Sequence, residues 1–299
     1  VQFPNQNTRI TKSGNYLLSI LDDVGELVFT RKFTLYENIA TVGVSASRSR
    51  NTKNMGEEQT VQFLVNYSQL QINNPSQEIH VAILQNENWK TAITKIQPQF
   101  YKPNQLVYKY PKKTNFWGGN EYLFFDNKNI RNASVNIAKS ERKEIYHNYL
   151  YPYVNRGLKS YTYNPDINGQ FIVRNIEARN PKTEADYAVM NFSLKVGQEF
   201  ADKEVYVYGA FNNFSLTEEN KMIFDPSTNY YNANFLLKQG FYNYTFVTKS
   251  WDTIISETEI RGNFSETENM YTVIVYHKAF GALFDRVIGV GTIQFKGER

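Results

Sequence analysis

Residues 203–247 read KEVYVYGAFNNFSLTEENKMIFDPSTNYYNANFLLKQGFYNYTFV, and the punctuation of this stretch decides the fold class. Three runs, at 204–209, 230–237 and 241–247, are rich in Tyr, Phe and Val, residues that fit pleated, half-buried surfaces. Gly209-Ala210-Phe211-Asn212-Asn213 and Lys238-Gln239-Gly240 separate them with turn chemistry. Val205 and Val207 share one side of the first run, as do Tyr242, Tyr244 and Phe246 of the third. A period of two is the mark of a strand with one buried face. Strand, turn and strand in this order make the core of a small β-sandwich.

The same grammar runs upstream. Residues 15–20 (NYLLSI) and 27–36 (LVFTRKFTLY) flank Leu21-Asp22-Asp23-Val24-Gly25-Glu26, whose Asp and Gly residues predict a hairpin turn. Two strands alone are not a stable unit in water. Residues 1–37 are therefore read as the terminal hairpin of an N-terminal β-domain whose other strands precede Val1. The opening Val1-Gln2-Phe3-Pro4 has neither an initiator Met nor a signal peptide, so a preceding segment is expected. Short strands follow at 39–47, 61–67, 78–84, 89–93, 106–110, 120–125 and 132–138, with Gly, Asn or Pro between them. They predict a middle β-sandwich over residues 38–182 that carries a long Tyr-, Asn- and Pro-rich loop at 149–170. Residues 140–148 show no alternation and predict no strand. Asn180-Pro181-Lys182-Thr183-Glu184 reads as a linker, and residues 183–299 as a C-terminal Ig-like domain. No amphipathic helix of three turns is found. The expected fold class is all-β: tandem Ig-like β-sandwich domains with an incomplete N-terminal β-domain.

Composition narrows the function classes. The chain has 299 residues, a formal charge of +4 and no cysteine, so disulfides and thiolate chemistry are excluded. Lys112-Lys113, Arg48 and Arg50 read as solvated charges; no basic stripe of a nucleic-acid binder is found. No apolar run approaches the roughly 18–20 residues of a membrane helix. His80, His147 and His277 lack metal-ligand spacing, and there is no Gly-x-Ser-x-Gly elbow. Glycoside hydrolysis needs two carboxylates facing each other across a cleft. The adjacent acids Asp22-Asp23, Glu57-Glu58 and Glu218-Glu219 sit on turns and point into water instead. The expectation is a protein without catalytic residues, metal ligands or cofactor. Gly118-Gly119 is no phosphate loop, because Gly-x4-Gly-Lys is missing. Two readings of it stay open: a turn that presents Phe116 and Trp117, or a turn that lets Trp117 cap a core.

With its Gly209–Phe214 turn, the C-terminal stretch resembles a glycogen- or starch-binding module. That family generally places Trp where Phe214 stands. Phe214 offers less stacking area and no N–H donor, and Trp251 could supply a second ring. The resemblance implies, as the alternative function, a carbohydrate-binding module or accessory protein of polysaccharide uptake. Phe116, Trp117, Phe214 and Trp251 are the candidate partner-binding residues.

A second resemblance spans essentially the whole chain. It is carried by NYLLSI at 15–20 with DVGELVF at 23–29, FWGGNEYL at 116–123 with FDNK at 125–128, and YHNY at 146–149. It continues through YTYNPDING at 161–169, VYVYGAFNN at 205–213, ENKM at 219–222, LLKQGFYNY at 236–244 and FDRVIGVG at 284–291. These strings are similar to the plug protein family of the Bacteroidota type IX secretion system. The resemblance implies a non-enzymatic protein in the periplasm, bound to the large outer-membrane β-barrel translocon and closing its periplasmic end. It implies protein–protein interaction, with no nucleic acid and no small-molecule substrate, and attachment to the outer membrane only through the barrel. The resemblance also implies a signal peptide and an N-terminal β-domain, of which residues 1–37 are expected to be the last hairpin.

Overall fold

Alternation at Val61, Phe63 and Val65 is the local cause of the first sandwich. All three side chains are fully buried, facing Ile79, Val81 and Ile83 of another strand. A computed structural model describes residues 3–297; Val1 and Gln2, on which the hairpin was expected to open, lie outside the described residues. The chain forms two units. Unit 1 takes the residues up to Lys53, then Gln59–Phe116 and Met270–Phe295; unit 2 takes Asn54–Glu58, Trp117–Asn269 and the tail from Lys296.

Unit 1 holds β1 (Gly14–Leu21), β2 (Leu27–Leu35), β3 (Thr41–Arg48), β4 (Glu58–Asn66), β5 (Ile79–Gln85), β6 (Asn88–Thr94), β7 (Phe100–Lys102), β8 (Gln105–Tyr108) and β9 (Asn115–Trp117). Unit 2 contributes β10 (Leu123–Asp126), β11 (Ile137–Arg142), β12 (Tyr146–Leu150), β13 (Tyr153–Val154), β14 (Phe171–Val173), β15 (Tyr187–Lys195), β16 (Lys203–Tyr208), β17 (Lys221–Asp225), β18 (Tyr230–Lys238), β19 (Gly240–Ser250) and β20 (Ile255–Ser256). The chain returns to unit 1 with β21 (Asn269–His277) and β22 (Arg286–Phe295).

In unit 1, sheet β22-β21-β5-β6 packs on sheet β3-β4-β8-β7, with β9 beside β4. Between them lie Tyr271, Val273, Val275, Leu106, Tyr108 and Ile288. Each large apolar side chain buried this way contributes roughly 1.5–3 kcal/mol. The β1–β2 hairpin forms where the sequence places it. Asp22 makes its turn by accepting from Val24 N (3.0 Å) and Glu26 N (2.8 Å), and Gly25 supplies the left-handed backbone at φ 90°. Ser13 Oγ accepts from Val287 N at 3.0 Å and Asn15 Nδ2 donates to Tyr276 Oη at 2.9 Å, which fasten the hairpin base to the sandwich. Further out, Leu17, Leu21, Val24, Leu27 and Val28 are exposed.

Unit 2 is one sheet of eleven strands, ordered β10-β19-β16-β17-β18-β15-β12-β11, with β13 on β15 and β14 and β20 on β19. Phe125 of β10 and Ile137 of β11, at opposite ends of that path, enter the same core as Phe192, Val207, Tyr244 and Phe246. The sheet therefore curls around one interior, as a barrel does.

The all-β class is thus borne out, while the details of the expectation change. Unit 1 is a two-sheet sandwich; unit 2 is a single curled sheet rather than the two packed sheets of an Ig-like domain. The boundary expected at 182/183 falls inside unit 2, because β12 and β13 pair with β15, and β10 and β14 with β19. Residues 140–148, read as non-strand, hold the end of β11 and the start of β12. Tyr146–Tyr149 pair in parallel with Ala188–Asn191. The expected linker is a single helical turn, Pro181–Glu184, whose Asn180 cap accepts from Lys182 N.

Candidate functional site

The four ring residues singled out in the sequence divide into two buried and two exposed. Phe116 packs in the unit 1 core, 5.4 Å from the Tyr271 ring. Trp117, the next residue, is 52% exposed. Phe214 is only 5% exposed, edge-on to Tyr208 at 5.2 Å. The turn that carries it is closed by side chains. Asn212 Nδ2 and Asn220 Nδ2 both donate to Val207 O, at 3.0 and 2.7 Å, and Gly209 N donates to Asn212 Oδ1. The left-handed backbone at Asn213 (φ 55°) and Phe214 (φ 51°) then turns the ring inward. Phe214 is thus a core residue and offers no stacking face, and Phe116 likewise presents no free ring. Trp251 is 77% exposed. It sits on a tight turn closed by Ser250 N donating to Ile254 O (3.0 Å) and Ser250 Oγ donating to Asp252 Oδ1 (2.5 Å).

The Gly118-Gly119 step straps two segments of unit 2 together. Phe264 N donates to Gly119 O, Asn269 Nδ2 to Gly118 O, Thr267 Oγ1 to Gly119 O and Gly119 N to Asn263 Oδ1. A Cβ on Gly118 would land on the Phe264 carbonyl oxygen, so close backbone approach explains that glycine.

One polar constellation went unread in the sequence. Glu121, 2% exposed, follows the strap. Its Oε1 accepts from Tyr161 Oη at 2.5 Å and Glu268 N at 3.0 Å, while its buried Oε2 has no partner among the described residues. Asp166 accepts from Tyr122 N and, at 2.6 Å, from Asn168 N. Arg261 donates to the Glu121 carbonyl and, at 3.4 Å, to Thr245 Oγ1. Asn243 Oδ1 accepts from Ile167 N (2.7 Å) and Gly169 N (3.2 Å). Burial pushes the Asp166 carboxyl up to about 7, with the charge of Glu121 adding to it and the Asn168 and Tyr122 N–H groups opposing. Burial also raises Glu121. A raised carboxyl beside a second acid is the pattern of a general acid; here Glu121 is buried and Asp166 half-buried. The cluster pins the 161–169 loop to the sheet. Adjacent acids were searched for in the sequence; this pair is 45 residues apart, and only the loop's return brings it together.

Among the described residues, His277 is the one histidine with a short acidic contact, 3.3 Å from Glu78. No group of three or more His, Asp or Glu side chains placed to hold a metal occurs among the described residues. No helix among them is long and apolar enough to cross a membrane.

Comparison with known proteins bears on the hairpin. Residues 1–37 match the family described as type 9 secretion system plug protein 1st domain. Over these residues the resemblance to the plug family is borne out. A crystal structure of a hypothetical protein from Parabacteroides merdae ATCC 43184 superposes on 98% of this chain and 75% of its own, with a TM-score of 0.92 and 28% identity. No curated protein matches the sequence. The plug-like hairpin is β1–β2, the two-stranded sheet seated on unit 1 through Ser13 and Asn15.

Proposed function

We propose that this protein is a non-enzymatic plug, located in the periplasm, that binds and closes the periplasmic end of the outer-membrane barrel translocon of a type IX secretion system. The observation that carries the reading is the match of residues 1–37 to the plug first domain. Two physical features support it. A stopper must keep its shape under contact, and both units are built on cores of interlocked rings, such as Phe125 stacked on Tyr242 at 5.1 Å and Phe63 on Tyr108 at 4.2 Å. It must also offer anchoring side chains, and Trp117 and Trp251 are exposed aromatics of the kind that dominate protein interfaces. The carbohydrate reading loses its main ring with the burial of Phe214.

The test is recovery of the tagged protein from its own cells in detergent. A large outer-membrane β-barrel should co-purify, and Trp117→Ala with Trp251→Ala should reduce the yield by about tenfold, as for hot-spot truncation, without lowering the melting temperature. Recovery of the protein free of any barrel would refute the proposal.

A further inference from the structure

Between Asn88 and Phe116 the chain carries Lys90, Lys95, Lys102, Lys109, Lys112 and Lys113 and no acid. The register of unit 1 gathers most of these charges. Arg48 pairs with Gln59, Phe63 with Tyr108, and Phe100 with Val107. The ends of β3 and β8 and the starts of β4 and β7 therefore lie along one edge of the sheet. Arg50 and Lys53 follow β3 there, Lys109, Lys112 and Lys113 follow β8, and Lys95 precedes β7. All six are exposed.

Hydrogen bonds hold the loops that carry these cations in place. Tyr110 Oη donates to Gln97 O at 2.9 Å, joining the loop before β7 to the loop after β8. Asn115 Nδ2 donates to Ser49 Oγ at 2.9 Å and its Oδ1 accepts from Thr60 Oγ1, joining the loop after β8 to the end of β3. The Lys113 ammonium lies 4.9 Å from the Tyr110 ring centroid.

Two observations set this edge apart from an ordinary solvated face. First, none of Lys95, Lys102, Lys109, Lys112 and Lys113 has an ion-pair partner among the described residues. In unit 2, by contrast, Lys203 meets Glu259 at 2.5 Å, and Glu204 meets Lys221 and Lys249 at 2.5 and 3.4 Å. The acids nearest to these lysines in sequence are Glu87 and Glu121; beside Arg50 and Lys53, Glu58 accepts from Asn54 at 2.6 Å. Second, the edge strand β7 presents Phe100 and Tyr101, 54% and 50% exposed, beside Lys102. Rings that enter a headgroup boundary and lysines that reach its phosphates are the two components of interfacial binding.

We propose that this edge of unit 1 docks on the headgroup layer of an anionic phospholipid bilayer. Lysine suits that occupant better than it suits a carboxylate on a folded partner. An ammonium is a mobile point charge, whereas defined carboxylates are met by the bidentate arginine fork. Clustered lysines near an anionic surface each add roughly fivefold to binding. A single weak signal gives only marginal attachment, and charge together with inserted rings supplies two. This inference does not depend on the plug reading.

The test is co-sedimentation of the full chain with phosphatidylcholine vesicles, with and without phosphatidylglycerol. Binding is expected only with phosphatidylglycerol and should weaken as salt rises. Lys109→Glu with Lys112→Glu and Lys113→Glu should lower it by about a hundredfold or more. Neutral Lys→Gln changes at the same three positions should give a smaller loss, with an unchanged melting temperature as the control for folding. Phe100→Ser with Tyr101→Ser should weaken vesicle binding while leaving retention on heparin intact. No binding to the anionic vesicles at low salt would overturn the proposal. So would binding indifferent to the lysine changes, or a Phe100/Tyr101 variant that binds as wild type, since the last would describe a generic polyanion site.

Discussion

Gly118 shows what one missing carbon does. Its α-carbon lies against the Phe264 backbone, and an added methyl would overlap that carbonyl. Backbone cannot rotate away as a side chain can, so Gly118→Ala should destabilise unit 2 by about 1–3 kcal/mol, read from the urea midpoint. Phe214→Ala should cost about 3–5 kcal/mol and leave any glucan retention unchanged, because the ring is core. Asp166 and Glu204 set opposite pH windows. The folded-state pKa of Asp166 stands near 7 against an ordinary 3.8. The folded form therefore holds its proton more tightly, and stability is lost as pH rises from about 4 to about 7, by at most about 4 kcal/mol. Glu204, held down to about 2 first by its hydrogen bond from Lys221, contributes stability above its ordinary 4.5 and loses it as pH falls towards 2. Chemical denaturation of unit 2 across pH should thus show greatest stability near pH 4–5, with Asp166→Asn flattening the neutral-side slope. At this scale the sequence was half legible. Phe214 was seen as a turn ring, but its direction depends on a left-handed backbone that its neighbours impose. Glu121 and Asp166 were invisible as a pair because their link is a tertiary return of the chain.

At the scale of elements, alternation succeeded wherever a strand has one buried face. The strands of the β1–β2 hairpin were read within a residue of their ends, and Val61–Tyr67 within three residues of those of β4. It failed at β11 and β12. There Lys139, Glu141 and Arg142 occupy a sheet margin with little core to face, so no apolar period is written. β12 pairs in parallel with β15, about 40 residues away in the chain, and its antiparallel hairpin with β11 closes over Lys143-Glu144-Ile145, which carries no Gly, Asn, Asp or Pro to mark a turn. Burial also predicts an order of opening. β19 is buried along most of its length, whereas the β1–β2 sheet has two strands and exposed Leu17, Leu21 and Val28. Hydrogen exchange should release the β1–β2 amides well before those of β19. Asp22→Ala removes both side-chain bonds of the turn and should speed that release by about fivefold, the equivalent of ~1 kcal/mol.

The whole molecule is interleaved. The chain leaves unit 1 after Phe116 and re-enters it at Met270, so β21 reaches its place beside β5 only after all of unit 2 has been threaded. Composition and alternation identified all-β architecture but could not show this, since periodicity carries no information on which distant strand a run will pair with. A fragment of residues 183–299 would hold β15–β20 without β10–β14 and β21–β22 without β5. It should show no cooperative melting transition by calorimetry, whereas the full chain should. The proposed role belongs at this scale too, because closing a pore is a property of a rigid body rather than of a residue. The most direct measurement is ionic current through the purified outer-membrane translocon in a planar bilayer, with this protein added to the periplasmic side. A plug predicts that the current falls on addition and returns when the protein is washed away; current unchanged at saturating protein would contradict it.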